Sequence, residues 1–235
     1  MLNLTKDCRV AVYTSIYKSD NFANVLHPPV CKDKNFDYLC FTPHSSIRAN
    51  GWNIIKTDWT AGVTPRMQAK KYKVFPHRYL QGYNFSIWLD GSFAIKDSLR
   101  RLLIAKMKDK ECPFVLFRNY QDNCIYISAN RCIGTGFGDP EKIKTQMYAY
   151  SDKGFPKDFG LPMCGMLYRQ HNEPSVQTIM EMWWHELQKH SERDQLSLPY
   201  VLWKLGNKAK YMMIQNTKKG IWNNYFAAYT RKKAG

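Results

Sequence analysis

The 235-residue sequence predicts a single α/β domain with a mixed, mostly parallel, Rossmann-like central sheet flanked by helices. Three observations lead there. Apolar runs of strand length alternate with helical segments along the first hundred residues, the mark of parallel strands joined by crossovers. No internal repeat, low-complexity tract or Pro/Ser-rich linker divides the chain. A chain of this length makes one large domain and buries roughly 70% of its unfolded surface without disulfide staples.

The elements follow in order. Arg9-Val-Ala-Val-Tyr-Thr-Ser-Ile-Tyr17 reads as a buried strand, and Asp37 to Thr42, stopped by Pro43, as a second. Trp52 to Thr57 reads as a third, ahead of Asp58-Trp59. Pro65 opens a helix that runs to about Phe75, before Pro76, because proline suits a first helical turn and ends a preceding one. Phe85-Ser-Ile-Trp-Leu-Asp90 is an apolar run that ends in a carboxylate. Pro113 to Phe117 and Cys124 to Ile127 both read as strands. Asp139-Pro140-Glu141 starts a helix, with Asp as N-cap and Pro in the first turn. Gly165 to Arg169 reads as a short strand. From Pro174 to Lys189 the apolar residues Val176, Ile179, Met180, Trp183 and Leu187 recur at helical spacing and mark a core-facing helix. A last helix is expected from Ser191 to about Lys204, bent by Pro199 and ended by Gly206.

Composition narrows the function. The longest unbroken apolar run is five residues, Tyr225 to Tyr229, far short of the about 20 that span a bilayer. The N-terminal residues Met-Leu-Asn-Leu-Thr-Lys-Asp have no apolar h-region, so no signal peptide is expected. Seven cysteines, an odd number without CxxC, argue against a disulfide framework or a zinc site and for a reducing compartment. Lys and Arg number 35 against 19 Asp and Glu, a net charge of +16 that favours anionic partners: nucleic acid, anionic lipid, acidic polysaccharide or a phosphorylated substrate.

Three constellations have the residue types that chemistry needs. Asp90 stands at a strand's carboxyl end, followed by Gly91 and Ser92; ligands of α/β sheets bind there, and a lone carboxylate so placed either holds Mg²⁺ or Mn²⁺ or caps a turn. Arg66, Lys70 and Lys73 are spaced i, i+4, i+7 and share one helix face. Such a face is either solvated or met by an anion such as a diphosphate. Ser191-Glu-Arg193-Asp194-Gln195 resembles a capping box with Asp194 at its third helical position, and the same carboxylate is open to catalysis.

Three look-alikes fall away. His185 and His190 are separated by i, i+5, about 140° apart on a helix, unlike the i, i+4 pair of a zinc-protease helix. Gly134-Thr-Gly-Phe-Gly138 lacks the full dinucleotide fingerprint and reads as the loop before the Asp139 helix. No Gly-x-Ser-x-Gly is present to support a lipase-type nucleophile.

The order of several blocks resembles one known family. They are Val10-Ala-Val-Tyr-Thr-Ser-Ile-Tyr17, Tyr38-Leu-Cys-Phe-Thr42, Pro65-Arg66 with its lysine face, Pro76-His-Arg78, Ser86-Ile-Trp-Leu-Asp-Gly91, Gly154-Phe-Pro156, Gly160-Leu-Pro162, Arg169-Gln-His171 and Arg193-Asp-Gln-Leu-Ser197. The family is a glycosyltransferase-like one that includes plant Golgi proteins of mucilage and pectin synthesis, and the likeness covers residues 9–205. The layout is also similar to glycogenin and lipooligosaccharide galactosyltransferases of the GT-A fold. The resemblance implies a GT-A domain over 1–235, with a nucleotide-binding half at 9–95, an acceptor and catalytic half at 96–215 and a basic tail at 216–235. It implies a nucleotide-sugar donor, UDP-linked, a carbohydrate or glycoprotein acceptor, Mn²⁺ or Mg²⁺ at Asp90, and no specific nucleic-acid partner. Thr14, Ser15 and Tyr17 would hold the nucleoside; Arg66, Lys70, Lys73, Ser92 and Arg193 would face the donor; Asp194 and Gln195 would line the sugar and acceptor. Ser92 stands where the family of metal-binding Asp-x-Asp motifs has its second carboxylate. No His follows His190 to serve as a C-terminal metal ligand, and Gln215 and Asn216 are the residues offered in its place.

In such a reaction metal and cations stabilise the departing diphosphate. If configuration inverts, a carboxylate takes the acceptor's proton, with Asp194 the first candidate and Glu186 the second. Two rival readings stand beside this one: a basic module that binds acidic glycan or nucleic acid, and a ceramidase-like hydrolase. A cytoplasmic bacterial or virus-encoded enzyme and the excised lumenal domain of a Golgi protein are the two expected settings.

Overall fold

The computed structural model describes residues 8–17, 26–107, 112–215 and 225–228. Its centre is a seven-stranded sheet. The strands in chain order are β1 (Val10–Ser15), β2 (Phe36–Thr42), β3 (Asn53–Lys56), β4 (Phe85–Leu89), β6 (Phe114–Arg118), β7 (Pro162–Arg169) and β8 (Met212–Ile214). They lie in the order β3-β2-β1-β4-β7-β6-β8. The pairs β1·β2, β2·β3, β1·β4 and β6·β8 are parallel, and β7 runs antiparallel to both its neighbours. A small antiparallel pair, β5 (Phe93–Ile95) with β9 (Phe226–Ala228), sits apart.

Alternation along the strands builds both faces of the core. Val10 and Val12 point to one face, where Cys40, Ile87, Val115 and Phe117 join Leu99, Leu102 and Leu103 of helix α3 (Leu99–Met107). Ala11 and Tyr13 point to the other, packed with Leu39, Trp88 and Leu116 against Val176, Ile179, Met180 and Trp183 of helix α6 (Pro174–Lys189). Strands covered on both faces are largely apolar, and β1 and β4 are buried at every position. Helices α1 (Pro65–Val74) and α7 (Asp194–Leu205) cover the same face as α6. A satellite cluster joins Ile125, Ala129 and Cys132 of α4 (Ile125–Gly134) to Ile143 and Tyr150 of α5 (Pro140–Asp152) and to Leu196 and Tyr200 of α7.

Two expectations need correction. Cys124 to Ile127 is not a strand, because Ile125 opens α4. The buried residues of that segment are Ile125, Ser128, Ala129 and Cys132, a helical period hidden by the β-branched residues at its start. The last helix begins at Asp194 rather than Ser191. Ser191 caps nothing; its hydroxyl donates to Gln146 Oε1 in the interior. The Pro65 helix breaks at Phe75, and Pro76 opens the one-turn helix α2 (Pro76–Tyr79). Asp139 is the N-cap of α5, accepting from the Glu141 and Lys142 amides.

Candidate active site

A cavity of about 800 Å³ opens at the carboxyl ends of β1 and β4. In parallel α/β sheets this end is where ligands are held, because the loops there diverge and helix N-termini point inward. Its wall includes Ser15, Ile16 and Tyr17 after β1, one face of α1, Asp90 to Phe93 after β4, Cys164 and Gly165 of β7, and Glu192 to Gln195 at the start of α7.

Arg66, Lys70 and Lys73 line the cavity together, as their spacing required. Lys73 is only 3% exposed in its side chain. Its ammonium lies 2.5 Å from Asp194 Oδ2 and 3.3 Å from Asp90 Oδ1. Lys70 lies 3.0 Å from the same Asp194 oxygen. Burial disfavours the charged form of Lys73, but Asp194 and Asp90 outweigh it and hold the ammonium above the usual lysine range. For Lys70 burial wins, aided by neighbouring Lys73, and its pKa falls. Burial also opposes the Asp194 charge, yet Lys70 and Lys73 together hold the carboxyl well below its ordinary range. The anion that meets the lysine face is therefore, in the first place, an internal carboxylate.

Two packing features fix this triad. Arg169 of β7 is fully buried; it donates to the Lys73 carbonyl and to the Tyr13 hydroxyl, so it clamps the last turn of α1 on the sheet. The buried Trp183 indole donates to the Asp194 carbonyl and so ties α6 to the first turn of α7. Asp194 also sits at that helix's positive end, which favours its charge. Arg66 and Arg193, on either side, form no ion pair among the described residues; Arg193 instead lies over the Phe137 ring, 5.7 Å from its centroid.

Asp90 is 44% exposed in its side chain. Its Oδ1 accepts from the Trp88 indole at 2.8 Å and meets Lys73. Gly165 of β7 lies against it, and a Cβ there would stand 2.4 Å from the Phe93 ring and 3.4 Å from Asp90 Oδ2. Only glycine leaves both in place. The donors near Asp90 make a poor cage for a divalent ion. One carboxylate oxygen is engaged by an ammonium and an indole, Ser92 offers a hydroxyl, and no group of three His, Cys, Asp or Glu gathers among the described residues. Gln215 is exposed and outside the cavity; Asn216 lies outside the described residues. Among the described residues, these groups do not by themselves form a closed cage for Mn²⁺ or Mg²⁺.

The remaining candidates divide. Ser15 and Tyr17 are in the wall; Ser15 donates to the Ala69 carbonyl and Tyr17 to Thr57 at 2.6 Å, while its ring stacks on Tyr72. Thr14 is not: its buried hydroxyl has no hydrogen-bond partner among the described residues and lies beneath Gly91. Ser92, Arg193 and Gln195 are in the wall, Gln195 donating to the Pro162 carbonyl. Glu186 is elsewhere, buried among α5, α6 and α7 and accepting from the Tyr150 hydroxyl at 2.7 Å. Its helical position turns it away from the cavity, so it cannot take a proton there. Reading the sequence alone missed Asn119, Tyr120, Gln121, Phe137 and Glu192, all in the wall. Glu192, which accepts from Thr64 at 2.7 Å, is the wall carboxylate without an ion pair among the described residues. Its place beside Arg193 and Asp194 was the one available signal.

The sequence model described as "TOD1/MUCI70, glycosyltransferase-like domain" matches residues 3–226. A curated relative from Arabidopsis thaliana, "Probable hexosyltransferase MUCI70", is 23% identical over 154 residues, which is 62% of this chain and 26% of the relative. The chain thus spans about a quarter of that protein's length. Mouse xyloside xylosyltransferase 1 superposes with a TM-score of 0.50 at 10% identity, over 88% of this chain and 84% of that one. Galactosyltransferase LgtC, solved with donor and acceptor sugar analogues, gives a TM-score of 0.49 at 10% identity, over 86% and 72%. The fold is the GT-A arrangement that the sequence led us to expect. No described helix is long and apolar enough to cross a membrane.

Proposed function

The chain belongs to the TOD1/MUCI70 glycosyltransferase-like family, a transferase family, and from that premise we propose that it moves a sugar from a nucleotide-diphosphate donor, UDP-linked, to a hydroxyl of a glycan or glycoprotein. The observation that supports this most is the cavity's charge. Arg66, Lys70, Lys73 and Arg193 converge on it against three carboxylates, Asp90, Glu192 and Asp194, at the sheet end where α/β proteins hold phosphates.

The chemistry follows from those residues. The bond between the anomeric carbon and the β-phosphate oxygen breaks with its electron pair on the diphosphate. The acceptor oxygen bonds to the same carbon, and its proton passes to a departing phosphate oxygen, the strongest base created in the step. Arg66, Lys70 and Lys73 stabilise the charge that develops on the diphosphate, and the two lysines are held in place before it appears. Asp194 is a weak base because two lysines hold it ionised; its work is to keep those lysines charged and aimed. Ser15 and Tyr17 are placed to contact the nucleoside, and the exposed Phe137 and Tyr120 rings to stack on the acceptor.

The test is thermal stabilisation by a panel of nucleoside diphosphates, followed by product detection with UDP-sugars and glycan acceptors. A specific ligand at a hundred times its Kd adds about 2.7 kcal/mol to stability. Stabilisation by UDP above the other diphosphates is the expected result. If no nucleotide stabilises while an acidic polysaccharide does, the chain is a basic binding module and the transferase reading falls.

A further inference from the structure

Accepting the donor reading above, we propose that the buried ammonium groups of Lys70 and Lys73, and not a divalent cation, neutralise the departing diphosphate, so that transfer proceeds without a metal. A divalent ion at a diphosphate takes one or two protein carboxylates with oxygens free to face it, and phosphate oxygens and waters for the rest. Here the position two residues beyond Asp90 is Ser92. The Asp90 oxygen nearest the lysines already faces a fixed cation at 3.3 Å. A divalent ion on that oxygen would stand close to the Lys73 ammonium, and like charges repel in a partly buried site.

The lysines, by contrast, are built to serve. They come from adjacent turns of α1, Arg169 holds the Lys73 carbonyl, and Asp194 spans both ammonium groups from below. Each ammonium has three protons to donate; Lys73 gives to Asp194 Oδ2 and Asp90 Oδ1 and Lys70 meets the same Asp194 oxygen, so each keeps a donor in reserve. The remaining donors, with Arg66 beside them (in no ion pair among the described residues), are left for phosphate oxygens. Asp194 and Asp90 then have one electrostatic duty in common, which is to keep two neighbouring cations buried until the anion arrives.

Calorimetric titration of UDP and of inorganic pyrophosphate into the wild-type chain, once in EDTA and once in excess Mn²⁺ or Mg²⁺, is the first test, and two variants follow it. Both ligands are expected to bind in EDTA, with affinity not improved by metal. Lys73→Met is expected to weaken both about tenfold to a hundredfold, the worth of a hydrogen bond to a charged group. Asp90→Asn is expected to tighten pyrophosphate in EDTA, since it removes a negative charge from the site. Binding that appears only with Mn²⁺ or Mg²⁺, or that Asp90→Asn abolishes, overturns the proposal and leaves the donor reading standing. If neither UDP nor pyrophosphate binds in either condition, the donor reading itself fails and takes the proposal with it.

Discussion

Lys73 and Asp194 are 121 residues apart in sequence and 2.5 Å apart in space. One comes from the first long helix and the other from the first turn of the last one, so the contact closes the site across the whole chain. Asp194→Asn leaves two buried ammonium groups facing each other. The expected loss of stability is about 3–5 kcal/mol, the usual result of breaking a buried pair from one side. Urea unfolding measures it. The wild-type carboxyl has a folded pKa below its unfolded value, so its contribution is present above about pH 4 and fades as pH falls further. In Asp194→Asn that part of the acid dependence should be missing.

Gly165→Ala carries a different expectation. The new methyl overlaps the Phe93 ring, which is itself packed on Phe226. An overpacked site of this kind costs about 1–3 kcal/mol, and here the strain falls on the loop that bears Asp90. A lowered Tm together with lost transfer is expected, and adding Phe93→Leu should return much of both. If Gly165→Ala alone is neutral, the close approach of β7 to Asp90 does not shape the site.

Phe137→Ala should raise the acceptor KM about tenfold, the worth of one stacked aromatic, and leave UDP binding unchanged. Initial rates at saturating donor give the first quantity and calorimetry the second. A ring that is 56% exposed in a cavity wall has little folding role to confuse the result.

His171 gives a pH prediction outside the site. Burial and then Arg169 push its pKa down to about 4, against an ordinary 6.5. The unfolded chain therefore takes up a proton first as pH falls. Stability from this group is complete above about pH 6.5 and declines toward pH 4, by up to about 3 kcal/mol. Urea midpoints between those pH values should fall in wild type and fall less in His171→Gln.

Much of the arrangement was legible before the fold was known, for reasons visible in single residues. Asp90 ended an apolar run, and a parallel strand buried on both faces has only its end free for polar work. Arg66, Lys70 and Lys73 shared a helix face by arithmetic. Asp194 was recognisable but ambiguous, because a helix-start carboxylate serves a cap and a site equally well. What escaped was set by distance along the chain. Phe137 and Asn119 reach the cavity through loops whose course depends on how α4 and β6 pack, and no local spacing records that. Cys124 to Ile127 misled because four residues are too few to separate a period of two from one of 3.6. Glu186 misled in the opposite way: it lies shortly before the wall residues Glu192 to Gln195 in sequence, but its own face of α6 looks into the Tyr150 cluster.

The position of β7 bears on how the protein is made. This strand fills the gap between β4 and β6, pairing Ser86 with Arg169 and Phe114 with the same residue. While a ribosome has delivered only the first hundred or so residues, β4 is an open sheet edge with nothing beside it, and such edges pair readily with other chains. The sheet closes only after the Arg169 codon has been read and the tunnel cleared. A fragment that stops near residue 95 would keep the loops after β1 and β4 yet leave that edge unpaired.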